Sequence, residues 1–147
     1  MSELVSESMS PRPREARERA QPGSAKSAYA VAHLRTVDQN AEIVDYLRRI
    51  DATLDPFGGR FVVHGTLPEV LEGEWPGFLV VIGFPDLDAA RAWYDSPAYQ
   101  EILPLRTRNS DGVTLLVDGV PEGYRAASYA AKLVDTSSAR ASGTPGR

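Results

Sequence analysis

Gly58-Gly59-Arg60-Phe61-Val62-Val63-His64-Gly65 is followed by Leu71-Glu72-Gly73-Glu74-Trp75, then by Phe78-Leu79-Val80-Val81-Ile82-Gly83-Phe84-Pro85, and then by Trp93-Tyr94-Asp95-Ser96-Pro97-Ala98-Tyr99-Gln100, with Arg106 closing the stretch. Two β-rich runs flank an acidic and aromatic connection, which reads as a pair of strands. The second run is apolar almost throughout, as suits a central strand covered by neighbours. Pro85 and Asp86 stop it. Leu87, Ala90, Trp93 and Tyr94 then recur at helical spacing, until Ser96-Pro97 breaks that helix and starts a second short one, Ala98 to Leu105.

Upstream, Ser27 to Leu34 alternates as a strand, with Tyr29, Val31 and His33 on one face and Ala28, Ala30, Ala32 and Leu34 on the other. The small face predicts a helix packed closely over it. Thr36 to Asn40 supplies capping side chains. Ile43, Tyr46, Leu47, Ile50 and Leu54 give the apolar stripe of a helix from Ala41 to Leu54, ended by Pro56 and Gly58-Gly59. The second strand is predicted over Arg60 to His64 and the third over Gly77 to Phe84, with Val70-Leu71 extending a strand edge between them. Downstream, Val113 to Val117 forms a fourth strand between glycine-bearing turns.

The order β-α-β-β-α-β over residues 27–120 is the split βαβ, or ferredoxin-like, pattern. Right-handed crossovers put the helices on one face of a four-stranded antiparallel sheet of order 4-1-3-2. The fold class is therefore α+β. The other face is left bare, and a large apolar patch is rarely tolerated by a monomer. Closing two such sheets by two-fold symmetry predicts a homodimer, a dimeric α+β barrel.

The flanks differ in composition. Residues 1–26 hold Pro11, Pro13 and Pro22, a mixed-charge run and few large apolar side chains, so a disordered N-terminal tail is expected. Residues 121–147 read as a mostly disordered C-terminal tail, with one or two helical turns around Ser128 to Val134. The 147-residue chain has 42% hydrophobic residues, enough for one packed core. It has no cysteine, which excludes disulfides, thiol nucleophiles and thiolate metal sites. With 16 basic against 20 acidic side chains and a net charge of −4, it offers no basic face for nucleic acid. Met1 to Ser10 is polar and acidic with no apolar core, so no secretory leader is expected, and no run approaches the roughly 20 apolar residues of a membrane span. A cytoplasmic protein with no nucleic-acid or membrane partner is expected.

From about Ser27 to Val120 the chain resembles the bacterial domain-of-unknown-function family 1330, within the dimeric α+β barrel group. Gly58-Gly59-Arg60-Phe61, Leu71 to Trp75, Val80 to Pro85 and Tyr94-Asp95-Ser96-Pro97-Ala98-Tyr99, with Arg106 following, carry the resemblance by their order and spacing. It implies a ferredoxin-like protomer and a homodimer, and names no reaction. His64 and Gly77-Phe78 stand where members often carry basic residues.

The chain has only two histidines, His33 and His64, each near the end of its strand and both near the same end of the expected sheet. Imidazole is the side chain best suited to proton transfer near neutral pH, so these are the catalytic candidates. Their alternative role is hydrogen bonding to loops. Tyr29 shares a face with His33, and the two form a candidate pocket pair if that face lines the barrel. Arg60 is a candidate oxyanion ligand or an ion-pair partner of Glu72 or Glu74. Arg106 points back toward the first strand or caps its helix. Trp75 lines a pocket or covers the dimer seam. Trp93 and Tyr94 read as core, and Tyr99 as a lock on the helix break. No histidine spacing suggests a metal site, and no cofactor is expected. The resulting expectation is a cofactor-independent small-molecule enzyme using proton transfer, in a tailoring or cyclisation step of secondary metabolism. The alternative is a non-catalytic small-molecule-binding or stress-related homodimer.

Overall fold

A computed structural model of the chain describes residues 26–143. The expected N-terminal tail lies outside the described residues except for Lys26. The elements run β1 (Ala28–Val37), α1 (Ala41–Leu54), a 3-10 turn (Asp55–Phe57), β2 (Arg60–Val63), β3 (Phe78–Phe84), α2 (Leu87–Asp95), α3 (Pro97–Thr107), β4 (Ser110–Asp118) and α4 (Ala126–Gly143). The first eight lie in one body, Lys26–Gly119. The remaining described residues form part of a second unit, and the element they hold is α4.

The four strands pair antiparallel in the order β2-β3-β1-β4, which is the order 4-1-3-2 read from the other edge. The fold is thus the α+β, ferredoxin-like arrangement expected. α1 begins where Asn40 Oδ1 accepts the Ile43 amide at 3.1 Å. It ends through the 3-10 turn at Gly58, whose φ of 71° is left-handed and suits glycine. Asp86 caps α2 by accepting the Ala89 amide at 2.8 Å. Ser96 closes α2 and opens α3: its hydroxyl donates to the Trp93 carbonyl at 2.7 Å and accepts the Tyr99 amide at 3.2 Å.

Alternation along β1 divides the sheet into two faces. Ala30 lies opposite Ile82 of β3 and Leu116 of β4, and Ile82 in turn lies opposite Phe61 of β2. These residues face the helices, where Tyr46, Ile50, Leu54, Phe84, Trp93, Tyr99 and Ile102 complete the core. The other face carries Val31 between Val81 and Leu115, and His33 between Leu79 and Val113. No element of the body covers it, and Val113, Leu115 and Val117 are 50%, 47% and 45% exposed.

Three expectations need correction. No strand forms at Val70-Leu71, and residues 64–77 make a long connection. That connection returns at Gly77, whose φ is 93° and where a Cβ would overlap the Leu34 carbonyl and the Arg35 backbone, so only glycine fits. β1 and β4 are longer than read, because a bulge at Arg35 carries the pairing on to Thr36 with Asp111 and Val37 with Ser110. Beyond the body, α4 runs 18 residues where one or two turns and then disorder were expected. Its sequence has no proline, and no glycine before Gly143, and it is rich in alanine, the strongest helix former. Among the described residues no helix is long and apolar enough to cross a membrane.

The buried polar residue Thr53 links two helices. Its hydroxyl accepts the Trp93 indole N–H at 3.0 Å and donates to the Ile50 carbonyl at 2.6 Å. Thr53→Val keeps the shape and strands a buried indole donor. It should lower stability by about 1–3 kcal/mol, read as a shift in the urea midpoint at constant slope; an unchanged midpoint would show that the bond contributes nothing.

Candidate functional site

The alanines on the inner face of β1 do not only seat a helix, as expected; toward Ala32 they leave room. A cavity of about 570 Å³ lies between the sheet and α1. Ala30, Ala32, Val80 and Ile82 line it from the sheet, and Ile43, Leu47 and Ile50 from α1. Half-exposed Val44 and Leu47 stand at its rim. Its size lies in the range of small-molecule sites, and the lining is mostly apolar with a few polar groups, the usual composition of such a site.

His64 is one of those polar groups, and a backbone irregularity places it there. Phe61 lies opposite Ile82 while Val63 lies opposite Val81, so β2 advances two residues against one of β3. This bulge turns the chain by one face. Strict alternation would send Phe61 and His64 to opposite sides of the sheet. With the bulge both line the cavity, their rings 4.8 Å apart.

The second polar group is a cluster of Tyr46 from α1 with Tyr99 and Arg106 from α3. The two phenol oxygens are 2.7 Å apart and hydrogen-bonded. Arg106 donates from Nε to the Tyr46 oxygen at 3.3 Å and from Nη2 to the Tyr99 oxygen at 3.5 Å. Its guanidinium also lies 5.9 Å from the Tyr46 ring centre. Burial pushes the Tyr46 phenol well above its ordinary range and Tyr99 adds to this, while Arg106 offsets part of it. Tyr46 is therefore a neutral donor at any physiological pH. Burial works against the charge on Arg106, but the two phenol oxygens outweigh it and hold the pKa above the ordinary arginine value. Arg106 stays cationic.

Of the residues singled out from sequence, His64 and Arg106 meet in this cavity. The others do not. His33, on the opposite face of the sheet, stacks on Trp75 with ring centres 3.9 Å apart, and its Nε2–H donates to the Pro76 carbonyl at 2.5 Å. The two histidines do share one end of the sheet, but the sheet lies between them. Tyr29, opposite Gly83 and Val117, is on the bare face with His33, so that pair does not line the cavity. Arg60, also opposite Gly83, is exposed, and among the described residues it makes no ion pair with Glu72 or Glu74. Trp75 covers the end of β1 rather than the cavity. Tyr46 and Tyr99 were missed, since both sit at core positions of their helices. The available signal was two tyrosines on core stripes with an arginine seven residues after the second, because a buried phenol needs a partner. Among the described residues no group of three His, Asp or Glu side chains comes together as a metal site.

Residues 27–120 match the family described as Domain of unknown function (DUF1330). The chain belongs to this family. No curated protein matches it. Among solved structures, methylated RPA0582 protein is similar at a TM-score of 0.51 and 17% identity, over 78% of this chain and 96% of that one. RPA0582 from Rhodopseudomonas palustris, a protein of unknown function, is similar at a TM-score of 0.48 and 17% identity, over 76% of this chain and 95% of that one. SnoaB, a cofactor-independent oxygenase from Streptomyces nogalater, is similar at 0.41 and 18% identity, over 63% of this chain and 90% of that one. The first of these likenesses supports the fold of this DUF1330 chain and says nothing of its activity.

The phenol cluster fixes a pH dependence. Because the folded-state pKa of Tyr46 is raised, its contribution is fully present below the unfolded value of about 10 and is lost progressively as pH rises from there toward the folded-state value. Tyr46→Phe should flatten the alkaline limb of the stability profile and lower neutral-pH stability by about 1 kcal/mol. Urea unfolding from about pH 8 to pH 11 checks this; an alkaline limb identical in both proteins contradicts it.

Proposed function

We propose that this DUF1330 protein is a cofactor-independent small-molecule enzyme that transfers a proton in the cavity between α1 and the sheet. His64 is the general base. The observation that carries the reading is the β2 bulge, which puts the chain's one cavity-lining imidazole, still exposed, on the wall of a mostly apolar pocket of ligand size. A regular strand would have sent that imidazole to the opposite face; bulges are common on edge strands such as β2 and also beside active sites, where they re-aim a side chain.

The reaction class follows from the groups present. A bound compound with an acidic C–H next to a carbonyl loses that proton to His64. The C–H bond breaks, an N–H bond forms, and the electron pair moves to the carbonyl oxygen. Return of the proton to another atom gives an isomerised product, and attack of the carbanion on a second carbonyl of the same molecule gives a ring. A tailoring or cyclisation step in secondary metabolism is chemistry of this kind.

The working unit is a cytoplasmic homodimer. Val31, Leu79, Val81, Val113, Leu115 and Val117 form an apolar face that no element of the body covers, and two copies related by a two-fold axis would bury it. His33 and Trp75 lie on that face, so they contribute to the seam and not to the reaction.

Solvent-deuterium exchange tests the reading. In D2O, wild-type protein should speed exchange at the acidic C–H of a 1,3-dicarbonyl compound with an apolar tail, followed by proton NMR. His64→Gln should reduce that rate by about 10²-fold or more. If compounds bind with no exchange above buffer, the protein is a binding module and the enzymatic reading fails. Leu115→Asp should turn the dimer into a monomer by light scattering, and a wild-type monomer at micromolar concentration would contradict the assembly.

A further inference from the structure

The Tyr46–Tyr99–Arg106 cluster holds more hydrogen-bond donors than acceptors. A guanidinium carries five N–H groups; two go to the phenol oxygens, and the other three have no acceptor among the described residues. Two phenols carry two hydroxyl hydrogens, and the single bond between their oxygens uses one. The other has no acceptor among the described residues. No carboxylate pairs with Arg106 there either, whereas Arg35, Arg49, Arg91 and Arg108 each meet one at the surface. Arg106 is partly buried and has no anionic partner among the described residues, so an anionic ligand entering the cavity would complete its hydrogen bonding.

From this donor surplus on the wall of an apolar cavity we infer that the substrate is an apolar carboxylic acid, bound through its carboxylate to Arg106 and the free phenol hydroxyl of the Tyr46–Tyr99 pair. A carboxylate has two oxygens with about four lone-pair sites, and so accepts the planar fork of a guanidinium and a phenol hydroxyl together. A lone phenolate oxygen has fewer sites. Ile43, Ile50, Val80 and Ile82 take the hydrocarbon part. The inference rests on the proposed cavity site and names its substrate class. It holds the anionic end of the molecule at Arg106 and leaves His64 for the acidic C–H.

The test compares 2-naphthoate with its neutral relatives 2-naphthamide and 2-naphthol, by calorimetry and saturation-transfer NMR on the full chain. The carboxylate should bind at least about tenfold more tightly than either. Arg106→Gln should remove that preference while 2-naphthamide binding persists, and Arg106→Lys should restore part of it, because the charge returns without the fork. Equal binding of all three probes by the wild-type protein overturns the inference without any variant. So does a failure of 2-naphthoate to saturate by about 10 mM, or a preference that survives Arg106→Gln. Carboxylate preference without deuterium exchange keeps the anion site and removes the proton-transfer reading. Exchange without carboxylate preference does the reverse.

Discussion

β1 is hydrogen-bonded on both sides, to β3 and β4, so its alternation of side chains is imposed on the whole sheet. One face of that strand is Ala28, Ala30, Ala32 and Leu34, and the other is Tyr29, Val31 and His33. A slip of one residue would exchange the two sets and put a tyrosine and a histidine where the helices pack. The helices sit on the small face, anchored by Phe84, Trp93, Tyr99 and Leu54, while α1 spans the alanines farther along without filling the space beneath it. The cavity is thus a consequence of alanine at Ala30 and Ala32. Leucines there would fill it and leave a packed core.

The fold was readable because its signals are local. Asn40 and the Pro56-Gly58 stop delimit α1, Ser96-Pro97 separates α2 from α3, and the β-α-β-β-α-β order determines the strand order once right-handed crossovers are required. The site was less readable because it depends on a register change. The bulge in Arg60–Val63 leaves no mark in Arg-Phe-Val-Val, yet it decides that His64 enters the cavity. His33 could be placed on the correct face from alternation alone, but which face carries the cavity depends on how far α1 stands off the sheet. Tyr46 and Tyr99 look like ordinary core residues until their oxygens are seen to meet, 2.7 Å apart, on the line of Arg106. Helix α4 was underestimated for a different reason: its small polar residues suggested disorder, while its alanines favour a helix.

The two faces divide the labour. Several surface charges are paired with one another: Glu42 receives Arg108 at 2.8 Å and the Asn109 amide at 2.8 Å, which holds its carboxyl below the usual range and ties the start of α1 to the α3–β4 corner. The bare face is apolar and suits a second copy. The cavity wall carries His64, which remains exposed, and Arg106, which is partly buried with donors to spare. An arginine on the wall of a mostly apolar cavity, with no carboxylate partner among the described residues and donors to spare, is the feature hardest to explain as packing alone.

Methyl chemical-shift mapping tests this division most directly. Ile, Leu and Val methyls would be followed in the wild-type protein as 2-naphthoate is added. Perturbation is expected at Ile43, Val44, Leu47, Ile50, Val80 and Ile82 around the cavity, with Leu79, Val81, Leu115 and Val117 unmoved. Perturbation centred on Leu79, Leu115 and Val117, on the face that carries His33, would place the ligand on the other side of the sheet and contradict this division.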